Sequence, residues 1–284
     1  MTETSAAVPT WWSRHRGSVA VHSVLVVVCA VMLVPFLWMF STSLKSLPES
    51  TRVPSGLLPE QWLWSNYAEV TQVLPFGAFY ANSLINVGVR TFGLLILASL
   101  SAYAFARLRF PGRNVLFVLV LSVMMVPPEV LLIPQYQIMN ALGWLNTLQA
   151  IIAPGLFSAL ATFLLRQFFA GIPGEIEEAA KLDGVGPLRM YWSIMLPMAV
   201  PGLVAAGVLK TLHGWNELLW PLVVNDSADQ LTLPAGLAYM KDETFTNFPL
   251  QMAGSVMAVL PMLVMFIVMQ KYVVRGFVAA GGMK

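Results

Sequence analysis

His213 and Glu217 stand four residues apart in LKTLHGWNELLWPLV, from Leu209 to Val223. On one helix face, an imidazole and a carboxylate at that spacing could share a metal ion. Two ligands are too few for a closed site, and nothing elsewhere in the sequence clearly supplies the rest, so no metal residues are assigned. Lys210 falls on the same stripe at about 100° per residue. Ionisable residues inside an apolar segment are costly and tend to mark a pathway. Lys210, His213, Asn216, Glu217 and Trp220 are therefore the candidate pathway residues. Aromatic rings beside hydrogen-bonding groups suit a polyhydroxylated solute, and tryptophan equally suits a membrane interface.

A second group of polar residues is more concentrated. Glu175, Glu177, Glu178, Lys181, Asp183 and Arg189 lie in one short segment between long apolar runs. Carboxylates in a first helical turn favour the positive end of the helix dipole. Lys181 can pair with Glu177 at i+4. Gly184 suits the left-handed position that stops a helix. Ile176, Ala179, Ala180 and Asp183 follow the i, i+3, i+4, i+7 pattern, and the alanines leave room for another protein to approach. Known catalytic signatures do not appear. The sequence has no G-x-x-x-x-G-K-[ST] phosphate loop, H-E-x-x-H, C-x-x-C or G-x-S-x-G, so no Walker-type ATP site is encoded here.

The elements that must position these residues follow from composition. The 284 residues are 57% hydrophobic and 11% charged, with a mean hydropathy of +0.72. Soluble chains carry about 25% charged residues. The sequence therefore reads as an all-α integral membrane protein. A bilayer core about 30 Å thick needs roughly 20 apolar residues per helix. Six stretches qualify: Val19–Phe40, Tyr80–Phe105, Val115–Ile133, Leu148–Phe169, Met198–Val223 and Leu250–Val273. The first run is longer than the core of a cleaved signal, about 7–15 residues, and reads as an uncleaved spanning helix. Ala98, Ala102 and Ala106 recur at four-residue spacing in the second run, a register that lets membrane helices approach closely. A net charge of +2 points to no nucleic-acid partner, and the single Cys29 forms no disulfide within the chain.

Basic residues orient the spans. With both termini in the cytoplasm, the inner segments hold Arg14, Arg16, Arg107, Arg109, Arg113, Arg166, Lys181, Arg189, Lys271, Arg275 and Lys284. The outer segments hold only Lys45, Arg52 and Lys241. This asymmetry favours an even number of spans. The expected organisation is a cytoplasmic segment over 1–18, a six-span domain over 19–273 with a polar loop at about 171–197, and a cytoplasmic tail over 274–284.

Glu178-Ala179-Ala180, Asp183-Gly184, Ile194, Leu196-Pro197 and Pro201 resemble the EAA loop of permease subunits of bacterial ABC importers. NSLINVGVRTFGLLILASLSAYAFARLRFPGR, WNELLWPLV and VVRGFVAAGGMK resemble the carbohydrate-uptake branch, typified by maltose permeases. The resemblance implies the type I importer permease fold in a bacterial inner membrane and no enzymatic activity. It also implies that the loop is a coupling helix docking on a separate ATPase, with Glu178, Ala179, Ala180, Asp183, Gly184, Leu196 and Pro197 as the coupling residues. ATP and magnesium would sit on that ATPase, and this chain would hold no cofactor. The implied partners are a second homologous permease, an ATPase dimer, an extracytoplasmic solute-binding protein, the lipid bilayer and a sugar. A glycerol-phosphate or phosphodiester solute is the alternative within transport, with Lys210 and Arg90 as cations. An intramembrane metalloenzyme built on His213 and Glu217 is the alternative of a different class.

Overall fold

The first apolar run forms α1 (Trp11–Ser43), and its described apolar side chains point outward on every side. A helix apolar all round belongs in a membrane or a large core. The computed structural model describes residues 11–54, 56–243 and 247–281, and most of these are helical, with an irregular connection over 51–64. Residues 1–10 and 282–284 of the expected termini lie outside the described residues, as do the side chains of Arg14, Arg16, Lys271 and Arg275. After α1 come α2 (Leu47–Ser50), α3 (Ser65–Val73), α4 (Phe76–Arg107), α5 (Arg113–Ser122), α6 (Leu132–Ala141), α7 (Leu148–Ile152) and α8 (Ala159–Gly171). The second half holds α9 (Gly174–Leu182), α10 (Pro187–Met190), α11 (Leu196–Met198), α12 (Val200–Trp215), α13 (Leu219–Val224), α14 (Leu233–Glu243) and α15 (Phe248–Gly281).

Among the described residues, three helices are long and apolar enough to cross a membrane unbroken: Val21–Ser43, Phe76–Arg107 and Phe248–Val268. Three helix pairs pass the same test only when taken together, and each is bent: Arg113–Met125 with Pro128–Ala141 at 97°, Leu148–Leu156 with Ala159–Gly171 at 41°, and Pro187–Met198 with Val200–Trp215 at 73°. Counting each pair once gives up to six. The third, fourth and fifth expected runs are thus not straight helices; the fifth bends at Ala199, between Pro197 and Pro201, and is interrupted again after Trp215. Val126 is extended (φ −86°, ψ 121°) ahead of Pro127, the conformation proline imposes on the residue before it. Proline lacks an N–H and clashes with the carbonyl four residues back. Pro154 therefore frees the carbonyl of Ala150, and Pro221 disfavours an unbroken helix through Glu217. α12 accordingly stops at Trp215, and the Asn216 side chain donates back to the Leu212 carbonyl at 2.8 Å.

The described chain forms two compact units, Met1–Glu69 with Thr246–Val256, and Val70–Phe245 with Met257–Lys284. In the first, the loop after α1 folds on itself. Lys45 is buried, donates to the Gly56 carbonyl and lies 5.1 Å from the Trp38 ring. Asn66 donates to the carbonyls of Ser43 and Lys45 at 2.8 and 3.0 Å. In the second unit α4 packs against α8 and α12. Ala98 and Ala102 are buried beside Ala161, Leu165 and Phe169, so the small-residue register does bring two helices together.

Candidate functional site

The polar segment is a helix, a stop and a second short helix. Gly184 takes φ +76°, which suits glycine alone without penalty. The Gly184 N–H donates to Lys181 at 3.0 Å and the Val185 N–H to Ala180 at 3.0 Å. These are the two bonds of a Schellman stop, and Val185 closes it by packing on the core that holds Ala180. Pro187 then starts α10, where a missing N–H costs nothing. A π-turn over Tyr191–Met195 and the 73° bend at Ala199 lead into α12.

α9 divides its residues between two faces. Ile176 and Ala180 pack inward, with Ala180 only 7% exposed. Glu178, Ala179, Leu182 and Asp183 are exposed. The expectation that both alanines face a partner is therefore corrected: Ala179 is available, whereas Ala180 seats the helix on its own core. Leu196 packs against the same core and Pro197 is exposed.

Sequence reasoning missed the anchor of this segment. Glu177 binds Lys181 at 2.8 Å, as its spacing predicted, and also faces Arg107 at 3.6 Å. Arg107 ends α4 and is itself largely buried. Its guanidinium donates from Nε to the Phe169 carbonyl at 2.9 Å, and from Nη2 to the carbonyls of Phe169 and Ile172. One cation thus joins α4, the end of α8 and α9. The only sequence signal was an arginine closing a long apolar run. Tyr103 adds a bond to the Pro187 carbonyl at 3.2 Å, and Ser99 meets Tyr191 at 2.7 Å. A cavity of about 730 Å³ lies beside this joint, lined in part by Arg107, Arg109, Arg113, Glu177, Glu178 and Lys181.

The pathway candidates divide too. Glu217 lies in the non-helical link between α12 and α13, so it leaves the helical stripe on which the sequence placed it. It forms an ion pair with Arg90 from the middle of α4, with a second contact from Nη2 at 3.4 Å. Both side chains are less than a fifth exposed, at 14% and 18%. Lys210 is half-buried. His213 and Asn216 are exposed. Trp220 is 5% exposed, packs with Met139 and Ile151, and donates to the Ala150 carbonyl at 2.9 Å. That is the carbonyl freed by Pro154. Its indole presents no open face, so the expected stacking surface is corrected to a packing role. Glu217 is engaged by a guanidinium rather than standing ready as a metal ligand.

Known proteins resemble this chain along most of its length. Residues 94–278 match the family described as binding-protein-dependent transport system inner membrane component. The chain is 40% identical over 187 residues to the arabinooligosaccharides transport system permease protein AraQ of Halalkalibacterium halodurans, covering 66% of this chain and 67% of that protein. It is 33% identical over 274 residues to the sn-glycerol-3-phosphate transport system permease protein UgpE of Yersinia enterocolitica, covering 94% and 98%. A crystal structure of a bacterial ABC transporter involved in import of the acidic polysaccharide alginate has a chain 26% identical, with a TM-score of 0.78 over 93% of this chain and 99% of that one. A chain of the alginate transporter in complex with alginate pentasaccharide-bound periplasmic protein is 12% identical, with a TM-score of 0.67 over 92% and 96%, a likeness of fold.

Proposed function

This chain belongs to the family of binding-protein-dependent transport system inner membrane components, and from that premise we propose that it moves a sugar or oligosaccharide into the cytoplasm by ATP-driven alternating access. It is a transport permease subunit of the inner membrane and not an enzyme. The observation that carries the mechanism is the seating of α9. Its exposed face offers Glu178, Ala179, Leu182 and Asp183, while Arg107 fastens its other face to α4 and α8. A separate ATPase dimer docks on that exposed face. ATP-driven closure of the dimer moves α9, and Arg107 passes the movement to the spanning helices. Ala180, Gly184, Leu196 and Pro197 hold the segment in shape. A second homologous permease completes the pathway, and an extracytoplasmic binding protein delivers the solute. No cofactor is assigned to this chain; ATP and magnesium belong to the ATPase. Six spans, with 1–18, the loop over about 171–197 and 274–284 all cytoplasmic, complete the proposed topology.

Lys210, His213, Asn216 and Glu217 are the proposed lining of the pathway, with Trp220 bracing it. The test is purification of the tagged chain from its native membrane in mild detergent, with mass spectrometry of what accompanies it. A second multispanning subunit and an ATPase near a 1:1:2 ratio is the expected result. The chain alone, in several detergents, overturns the importer reading. The accompanying binding protein is then screened against sugars.

A phosphorylated polyol is the second reading, supported by the named relative in Yersinia enterocolitica. Of the two cations first considered for it, Arg90 is committed to Glu217, which leaves Lys210. Loss of phosphorylated-solute uptake in Lys210→Ala, with neutral sugars spared, decides for it.

A further inference from the structure

We infer that Arg90 is a positioning residue of the transport cycle, holding the breaks of two interrupted spans to the unbroken helix α4 so that they move together. The inference rests on the alternating-access reading above. It is carried by three observations.

The first is the ion pair itself. Arg90 projects from the middle of α4, and Glu217 sits in the link where α12 gives way to α13. Two guanidinium nitrogens address the two carboxylate oxygens, the planar, geometrically specific mode of arginine. The second is Gly155, in the 3-10 turn Ala153–Leu156 that leads into the 41° bend before Ala159. A Cβ on Gly155 would overlap Nε, Cζ and Cδ of Arg90. The arginine therefore lies directly over the backbone beside that break, and a Cβ at position 155 would displace its guanidinium. The third is the surroundings of the pair. Thr91 and Thr211 meet at 3.4 Å on the same α4–α12 contact, and Trp220 of α13 donates to Ala150 of α7. The two breaks thus touch the same arginine, and the helices flanking them also touch each other.

The physical consequence follows from where the pair lies. Separating it leaves two largely buried charges unpaired, which is costlier than keeping the pair or replacing both residues by apolar ones. The pair consequently stays closed while the spans reorient. Non-helical backbone in a spanning segment is where such proteins bend. Arg90 grips one such point through charge and the other through close packing. Movement of either break is passed to the other and to α4.

The test uses the whole importer in nanodiscs. Spin labels are placed by Phe157→Cys and Leu218→Cys, both exposed positions next to the breaks, in a Cys29→Ser background. The distance between them is measured without nucleotide and after trapping with ATP and vanadate. The expected wild-type result is one narrow distribution in both states. Arg90→Met is expected to give a distribution about twice as broad after trapping, with fewer solutes moved per ATP. Gly155→Ala, which keeps both charges, is expected to do the same. If Arg90→Met does not fold, the apolar pair Arg90→Met with Glu217→Met removes the unpaired charge, and broadening is still expected. A narrow distribution in both states for the folded variants overturns the inference while leaving the importer reading in place. Failure of the wild-type chain to assemble with an ATPase sinks the importer reading instead.

Discussion

Glu178 and Glu177 are neighbours with opposite fates. Glu177 turns inward to Arg107 and Lys181, and Glu178 stays exposed at the rim of the cavity beside α9. Substituting them should therefore give different defects. Glu178→Lys reverses a surface charge and touches no core residue. It should weaken ATPase docking and abolish uptake while leaving membrane insertion and thermal stability unchanged. Normal uptake by this variant would contradict the docking role. Arg107→Gln strands Glu177 with a single exposed lysine and removes charge-assisted bonds to two carbonyls. Breaking a largely buried pair costs up to about 3–5 kcal/mol, here reduced because Lys181 remains. The expectation is a lower unfolding temperature in detergent together with impaired uptake. An unchanged unfolding temperature argues that the joint is not structural. Glu177 and Lys181 were legible as an i, i+4 pair. Arg107 was not, because its partners lie far away in sequence.

At the scale of elements, the apolar runs located three unbroken helices long enough to span and missed the bends in three further stretches. Hydropathy counts apolar residues and is blind to whether the backbone through them is continuous. The prolines at 127, 154 and 221 were visible, yet proline in a membrane helix is often tolerated, so their presence alone did not decide. Trp220 shows what the breaks require. Its indole satisfies the carbonyl that Pro154 leaves open. Trp220→Phe keeps most of the ring and loses that bond, at about 1–2 kcal/mol. A thermal shift in detergent should register this, and no shift would mean the carbonyl finds another donor. The alanine register between α4 and α8 makes a stronger demand. Ala102 is fully buried against α8. Ala102→Leu should cost about 1–3 kcal/mol by overpacking, seen as poor extraction and a reduced yield of assembled complex. A normal yield would show that the two helices can separate.

For the whole molecule, the proposed topology puts both ends and the α9 segment in the cytoplasm, on the asymmetry of basic residues. The structure supplies three unbroken helices long enough to span and three bent pairs, and the orientation is checked by labelling. In a Cys29→Ser background, Gly186→Cys, exposed after α9, should react with a membrane-impermeant maleimide only in inside-out vesicles. Asp226→Cys, exposed after α13, should react only from the outside. The reverse pattern would invert the topology and remove the ATPase from α9. The outward apolar surface of α1 fits a helix set among lipid and other subunits.

Features with a local physical cause were determined by the sequence alone. Apolar runs long enough for a bilayer marked the long helices, and a glycine after a charged helix marked the stop at Gly184. These depend on neighbours a few residues apart. Tertiary structure alone decided which face of α9 is free, that Trp220 packs rather than stacks, and that Arg90 meets Glu217 across 127 residues of chain. Burial and ion pairing between distant segments are set by how the helices pack. No periodicity within a single helix records which distant residue packing brings against it.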